Sequence, residues 1–109
     1  MKFTQIMLLV TALSSSAHAL AYTGNDLIQW LPEYEANKGS WAGGMFLGYV
    51  GGVSEVGQGV LYCAPATATH GQSAAITAKY LRNNPEKWNL SASSLIVSAL
   101  QAAYPACKP

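Results

Sequence analysis

The chain has 109 residues, of which half are hydrophobic and a tenth charged, with a formal net charge of +1. That length allows one domain, and the composition excludes a disordered segment, which needs low hydrophobicity and high net charge. It also lacks the basic footprint that neutralises phosphates, which argues against a nucleic-acid partner.

The first residues read as an export signal. Met1–Lys2 is a short basic start, Ile6 to Leu13 an apolar run, and Ala17–His18–Ala19 a small-x-small triplet suited to signal peptidase. The apolar run is far shorter than the roughly 20 residues that span a bilayer. Cleavage is expected after Ala19, with Ala21 as a second site. A mature domain of residues 20–109 remains, formally neutral once Lys2 is gone. So small a domain buries a modest core and gains from a covalent staple or a partner subunit.

Four helices are expected in the mature chain. Asn25 can cap the first, with Asp26 in its first turn and Leu27, Ile28, Trp30 and Leu31 as its apolar face. Pro32 either bends or ends it, and Asn37–Lys38–Gly39 is a break. Ser40 caps a second helix that runs to about Val56. In it Trp41, Met45, Tyr49 and Val53 recur every four residues, a stripe expected to be buried.

Beside that stripe run Gly44, Gly48 and Gly52. With Gly43 and Gly51 they cost the helix about 4–5 kcal/mol of intrinsic propensity relative to alanine. A second backbone packed close to the glycine groove, within the fold or across a dimer, is the expected compensation. The same spacing resembles a membrane-helix seam. Gln58 and Glu55 near one end and the missing basic flank favour a helix that is not inserted in a membrane.

Thr69 and Gln72 form a capping box for a third helix, with Ala75, Ile76, Ala78, Tyr80 and Leu81 on its face. It ends before Asn83–Asn84–Pro85, because the residue before proline avoids the α region. Asn89 or Ser91 caps the fourth helix, whose face includes Ala92, Leu95, Ile96, Ala99 and Ala103, and Pro105 stops it. The fold class is therefore all-α, a compact bundle of about four helices.

Cys63 and Cys107 are the two cysteines, and in an exported protein an even count suggests one intrachain disulfide. It would close a loop of about 45 residues and contribute about 4 kcal/mol by chain entropy. Free or intermolecular thiols and metal binding are the competing uses. The mature chain has a single histidine, too few ligands for a four-ligand structural zinc site.

Catalytic groups are scarce. Cys63 with His70 could be a nucleophile and base, but the cysteine is the better disulfide partner. Glu33 and Glu35 could be a carboxylate pair, although acids near a helix end more often form a solvated face. The glycines lack the Lys-Ser or Lys-Thr of a phosphate loop, and no cofactor is expected. The polar segment Asn83–Asn84–Pro85–Glu86–Lys87–Trp88–Asn89 is the best candidate for touching a partner. Its Trp88 is either an interface anchor or a staple that folds back to cover the fourth helix.

In order and spacing these features resemble a known family. The residues are Gly48–Tyr49–Val50–Gly51–Gly52–Val53, Tyr62–Cys63–Ala64–Pro65, Thr69–His70–Gly71–Gln72, Tyr80–Leu81–Arg82–Asn83–Asn84–Pro85–Glu86, Ala99–Leu100 and Tyr104–Pro105–Ala106–Cys107. From about Asn25 to Cys107 the chain is similar to the Rap/Tai family of immunity proteins, which protect bacteria against cell-wall amidases delivered by type VI secretion. The resemblance implies a small helical periplasmic homodimer that performs no reaction itself. It would bind an amidase effector and occlude the cysteine–histidine cleft. On that basis Asn83 to Asn89 are expected to reach the toxin, and Gly44, Gly48 and Gly52 to serve self-association. The rival readings are a periplasmic inhibitor of another hydrolase, such as a lysozyme or protease, and a membrane-active peptide using residues 40 to 61.

Overall fold

A computed structural model describes residues 21–109; the expected signal segment, residues 1–19, lies outside them. Among the described residues there are four α-helices and one short 3-10 turn. The helices are α1 (Gly24–Glu35), α2 (Trp41–Gly57), α3 (His70–Asn83) and α4 (Ala92–Ala103), with the 3-10 turn at Pro85–Lys87. The fold is all-α, as expected, and a disulfide joins Cys63 to Cys107.

The helix ends follow side-chain chemistry. Ser40 caps α2 by accepting from the Gly43 N–H at 3.2 Å. Thr69 and Gln72 exchange both bonds of the box that opens α3, at 3.1 and 2.9 Å. Ser91, not Asn89, caps α4. The cap of α1 is Thr23 rather than Asn25, with the Asp26 carboxylate accepting the Thr23 N–H at 2.8 Å. Asp26 is thus the third residue of a box, and the cap stands three before it. Pro32 lies inside α1, which runs on to Glu35. The break falls as expected at Asn37 and Gly39, both with positive φ.

Leu27, Trp30 and Leu31 of α1, Phe46 and Val50 of α2, Leu81 of α3, and Leu95, Ile96 and Leu100 of α4 form the buried core, together with Tyr62 from the α2–α3 connection. The buried face of α2 is a correction. It consists of Gly43, Phe46, Val50, Gly51, Ser54 and Gly57, whereas Trp41 is 69% exposed and Met45, Tyr49 and Val53 are only half-buried. Small residues let α2 approach its neighbours: a Cβ at Gly43 would stand 3.3 Å from the backbone of Glu33 and Tyr34 in α1. Two smaller corrections concern α3 and α4, whose faces otherwise include the expected Ala78 and Leu81, and Ala92, Leu95, Ile96 and Ala99. On α3, Ser73, Ala74 and Thr77 are buried and Ala75 is exposed; on α4, Leu100 is buried and Ala103 exposed.

Thr77 is fully buried and its Oγ1 has no hydrogen-bond partner. A buried hydroxyl left unpaired costs about 1–3 kcal/mol, and valine has nearly the same shape without that cost. Thr77→Val is expected to raise stability by about 1 kcal/mol, read from the urea midpoint at unchanged slope.

Candidate partner-binding surfaces

The polar segment, which begins at Asn83 in the last turn of α3, is anchored at several points. The Asn84 side chain donates to the Tyr80 carbonyl at 2.8 Å, and the Lys87 ammonium reaches the Tyr80 hydroxyl at 3.2 Å. Backbone bonds from Lys87 to Asn84 and from Leu90 to Lys87 wind the tight turn. The Gly24 and Asn25 N–H groups, orphans of the first turn of α1, donate to the carbonyls of Leu90 and Trp88 at 3.0 and 2.9 Å. Gly24 permits this: a Cβ there would lie 2.8 Å from the Trp88 Cα.

Trp88 folds back. Its indole N–H donates to the Leu81 carbonyl at 2.7 Å, and the half-buried ring lines a cleft with Ile28, Leu31 and Pro32, at the seam of α1 and α3. Asn83, Pro85, Glu86 and Asn89 are the residues of this segment left exposed, and Asn84 and Lys87 are half-buried.

A second surface is the outer face of α2. A Cβ at Gly44, Gly48 or Gly52 would meet nothing within 4 Å, so no backbone among the described residues packs against that row. Trp41 and Val56, 69% and 80% exposed, stand at the two ends of the same face. An apolar cleft of about 360 Å³, lined by Gly52, Val53, Val56, Leu61 and Val97, continues it toward α4. No helix among the described residues is long and apolar enough to cross a membrane.

A third surface is the turn after α2, held by the disulfide. The Cys63–Cys107 Cα atoms are 4.9 Å apart, and the Cys63 N–H donates to the Pro105 carbonyl at 2.9 Å. Val60 stands at this turn and is 76% exposed.

Three of the candidate chemical groups, Cys63, His70 and Glu35, are engaged elsewhere, and Glu33 is half-buried. Cys63 is oxidised, and the His70 Nε2 lies 3.1 Å from a Glu55 carboxylate oxygen. Glu35 at the end of α1 receives both guanidinium nitrogens of Arg82 in α3. That hydrogen-bonded pairing, with the Arg82 charge, holds the Glu35 carboxyl below its ordinary value of 4.5. The stability it gives is present above the unfolded value and is lost as pH falls through the lower folded one. Because the pair is solvent-exposed, Arg82→Ala is expected to cost less than about 1 kcal/mol. It should also flatten the loss of stability on acidification below pH 4.5, as followed by thermal melts.

These features define a small, disulfide-stapled helical protein whose unspent apolar surface suits a protein partner. A family model described as Rap1a immunity proteins matches residues 23–107, and the chain belongs to that family. It is an immunity protein, and its partner is an effector. No curated protein and no solved structure matches the chain.

Proposed function

We propose that this chain is a periplasmic immunity protein that binds a peptidoglycan amidase delivered by type VI secretion and inhibits it by occluding its active-site cleft. Family membership over residues 23–107 carries the reading. The disulfide supports it, since such bridges persist in oxidising compartments outside the cytosol. In this reading the signal segment is cut after Ala19 or Ala21, upstream of the Thr23 cap. Residues 83–89 meet the effector through exposed Asn83, Pro85, Glu86 and Asn89, while Trp88 braces the segment from behind. The chain contributes occlusion and no catalysis.

The experiment is a calorimetric titration of oxidised residues 20–109 against the amidase encoded beside its gene, with cross-link hydrolysis followed in parallel. Nanomolar binding with loss of activity is expected. Binding without inhibition discards occlusion, and no binding discards the amidase as target.

Self-association along the row of Gly44, Gly48 and Gly52 completes the proposal. The open space over each of those glycines, between exposed Trp41 and Val56, supports it. Gly48→Leu is expected to leave the fold intact and to shift the sedimenting species from dimer to monomer. A dimer that survives the substitution overturns this assignment.

A further inference from the structure

The turn that follows α2 is closed by its own hydrogen bonds and by contacts to the core and to the end of the chain. Gly57, the last residue of α2, lies under the Tyr62 ring, where a Cβ would stand 2.8 Å from it. The Tyr62 hydroxyl donates to the Ser54 carbonyl at 2.6 Å, fixing the far side of the turn. Val60 and Leu61 both donate to the Gly57 carbonyl, at 3.1 and 2.8 Å, and Gly59, at φ 82°, donates to the Tyr62 carbonyl at 2.9 Å.

Gln58 closes the neck, its amide giving one bond to the Ala64 carbonyl and taking one from the Ala64 N–H, both at 3.0 Å. The Gln101 amide donates to the Leu61 carbonyl, and the disulfide holds the next residue but one. What this frame presents to solvent is Val56, Val60 and Leu61, exposed by 80%, 76% and 44%. From Val56 to Thr69 there is no formal charge, and the flanking Glu55 and His70 are engaged with each other.

We propose that this turn, with Val60 at its tip and Leu61 beside it, is a preformed apolar plug that seats in an uncharged recess of the effector protein. The proposal rests on the immunity reading above and adds a contact separate from residues 83–89. A turn already fixed by its own hydrogen bonds loses little freedom on docking, so the burial of its side chains goes into affinity. A projection needs a recess, whereas the glycine row of α2 offers a copy of itself a smooth groove that does not include Val60. Being neutral, the plug binds without ion pairs, and its affinity is insensitive to salt. The Glu86–Lys87 edge of the other segment would give a salt-dependent contact.

The test compares oxidised wild type, Val60→Asp and Gln58→Ala in titration against the amidase encoded beside the gene, at low and high sodium chloride. Val60 is exposed, so its substitution leaves the helical content unchanged by circular dichroism. Val60→Asp is expected to weaken binding about 100-fold, the scale of a central anchor. Gln58→Ala, with Val60 intact, is expected to weaken it about tenfold through lost preorganisation. The ratio of wild-type to Gln58→Ala affinity, in which the contact of residues 83–89 cancels, should stay within about threefold between the two salts.

Val60→Asp binding like wild type overturns the plug and leaves the immunity reading standing. A dimer that Val60→Asp dissociates, with effector binding unchanged, overturns it by giving the turn to a second copy. A wild-type to Gln58→Ala ratio that changes steeply with salt overturns the neutral recess. If wild type itself does not bind, the amidase reading fails, and the plug's assigned partner with it.

Discussion

Replacing both cysteines by serine, Cys63→Ser with Cys107→Ser, is expected to lower the unfolding free energy by about 4 kcal/mol, from the chain entropy of a loop of about 45 residues. Small domains have about 5–15 kcal/mol in total, so the serine form should sit near the edge of folding at 37 °C. The native contacts across the bridge do not depend on the sulfurs. The backbone N–H at position 63 should still donate to the Pro105 carbonyl, Tyr62 should still stack on Tyr104, 6.1 Å away in the oxidised protein, and Gln101 should still reach Leu61. The loss therefore resides in the unfolded chain, which becomes more open. Urea denaturation should show a lower midpoint together with a steeper slope, because more surface is exposed on unfolding. A serine form as stable as the oxidised protein would show that the 58–64 connection and the C-terminal segment hold each other unaided.

Trp88→Ala is expected to cost about 3 kcal/mol, at the lower end of the range for deleting a large core aromatic, since the ring is half-buried. It opens the seam between α1 and α3. The Leu81 carbonyl keeps a second donor, the Asn84 N–H at 3.2 Å, so the loss comes mainly from packing. Trp88→Phe retains most of the ring and should cost about 1 kcal/mol for the indole hydrogen bond. Parallel urea curves for the two variants check this. The consequence for binding studies is direct: weaker effector binding by Trp88→Ala reports a loosened segment, not a lost anchor. Substitutions at Glu86 or Asn89, both exposed, probe that face without touching the seam.

Local chemistry made most of the fold legible. Ser40, Thr69 with Gln72, the Asn37–Gly39 break and the Asn84–Pro85 stop each act through a hydrogen bond or a backbone restriction within a few residues. The cysteine pair followed from count and compartment. The orientation of α2 was not legible, because both of its faces are apolar and a period of four fits either one. Trp41, Met45, Tyr49 and Val53 looked like the core stripe because they are large. The buried face instead uses Gly43, Gly51, Ser54 and Gly57, whose smallness brings α1, His70 and Tyr62 close. Trp88 could be read either as anchor or as staple until the Leu81 carbonyl was placed beside it. The Gly57–Cys63 turn escaped notice as a surface because its fixity comes from Gln58, Gln101 and Tyr62, whose partners lie up to 40 residues away. The family resemblance supplied the effector, which no residue pattern alone could name.

The bonds from Gly24 and Asn25 to the segment before α4 also set an order of assembly. Ala92 returns the favour by donating to the Tyr22 carbonyl at 2.9 Å, and Thr23 pairs with Ser91 as an isolated bridge. The first turn of α1 and the first turn of α4 are thus spliced to each other across most of the chain's length. Closing so long a loop is entropically unfavourable until the intervening helices have docked. That splice is therefore expected to form after the helices between its two halves have docked. The beginning of α1 and the segment through Leu90 would open as one cooperative unit, with α2 and α3 still folded beneath them.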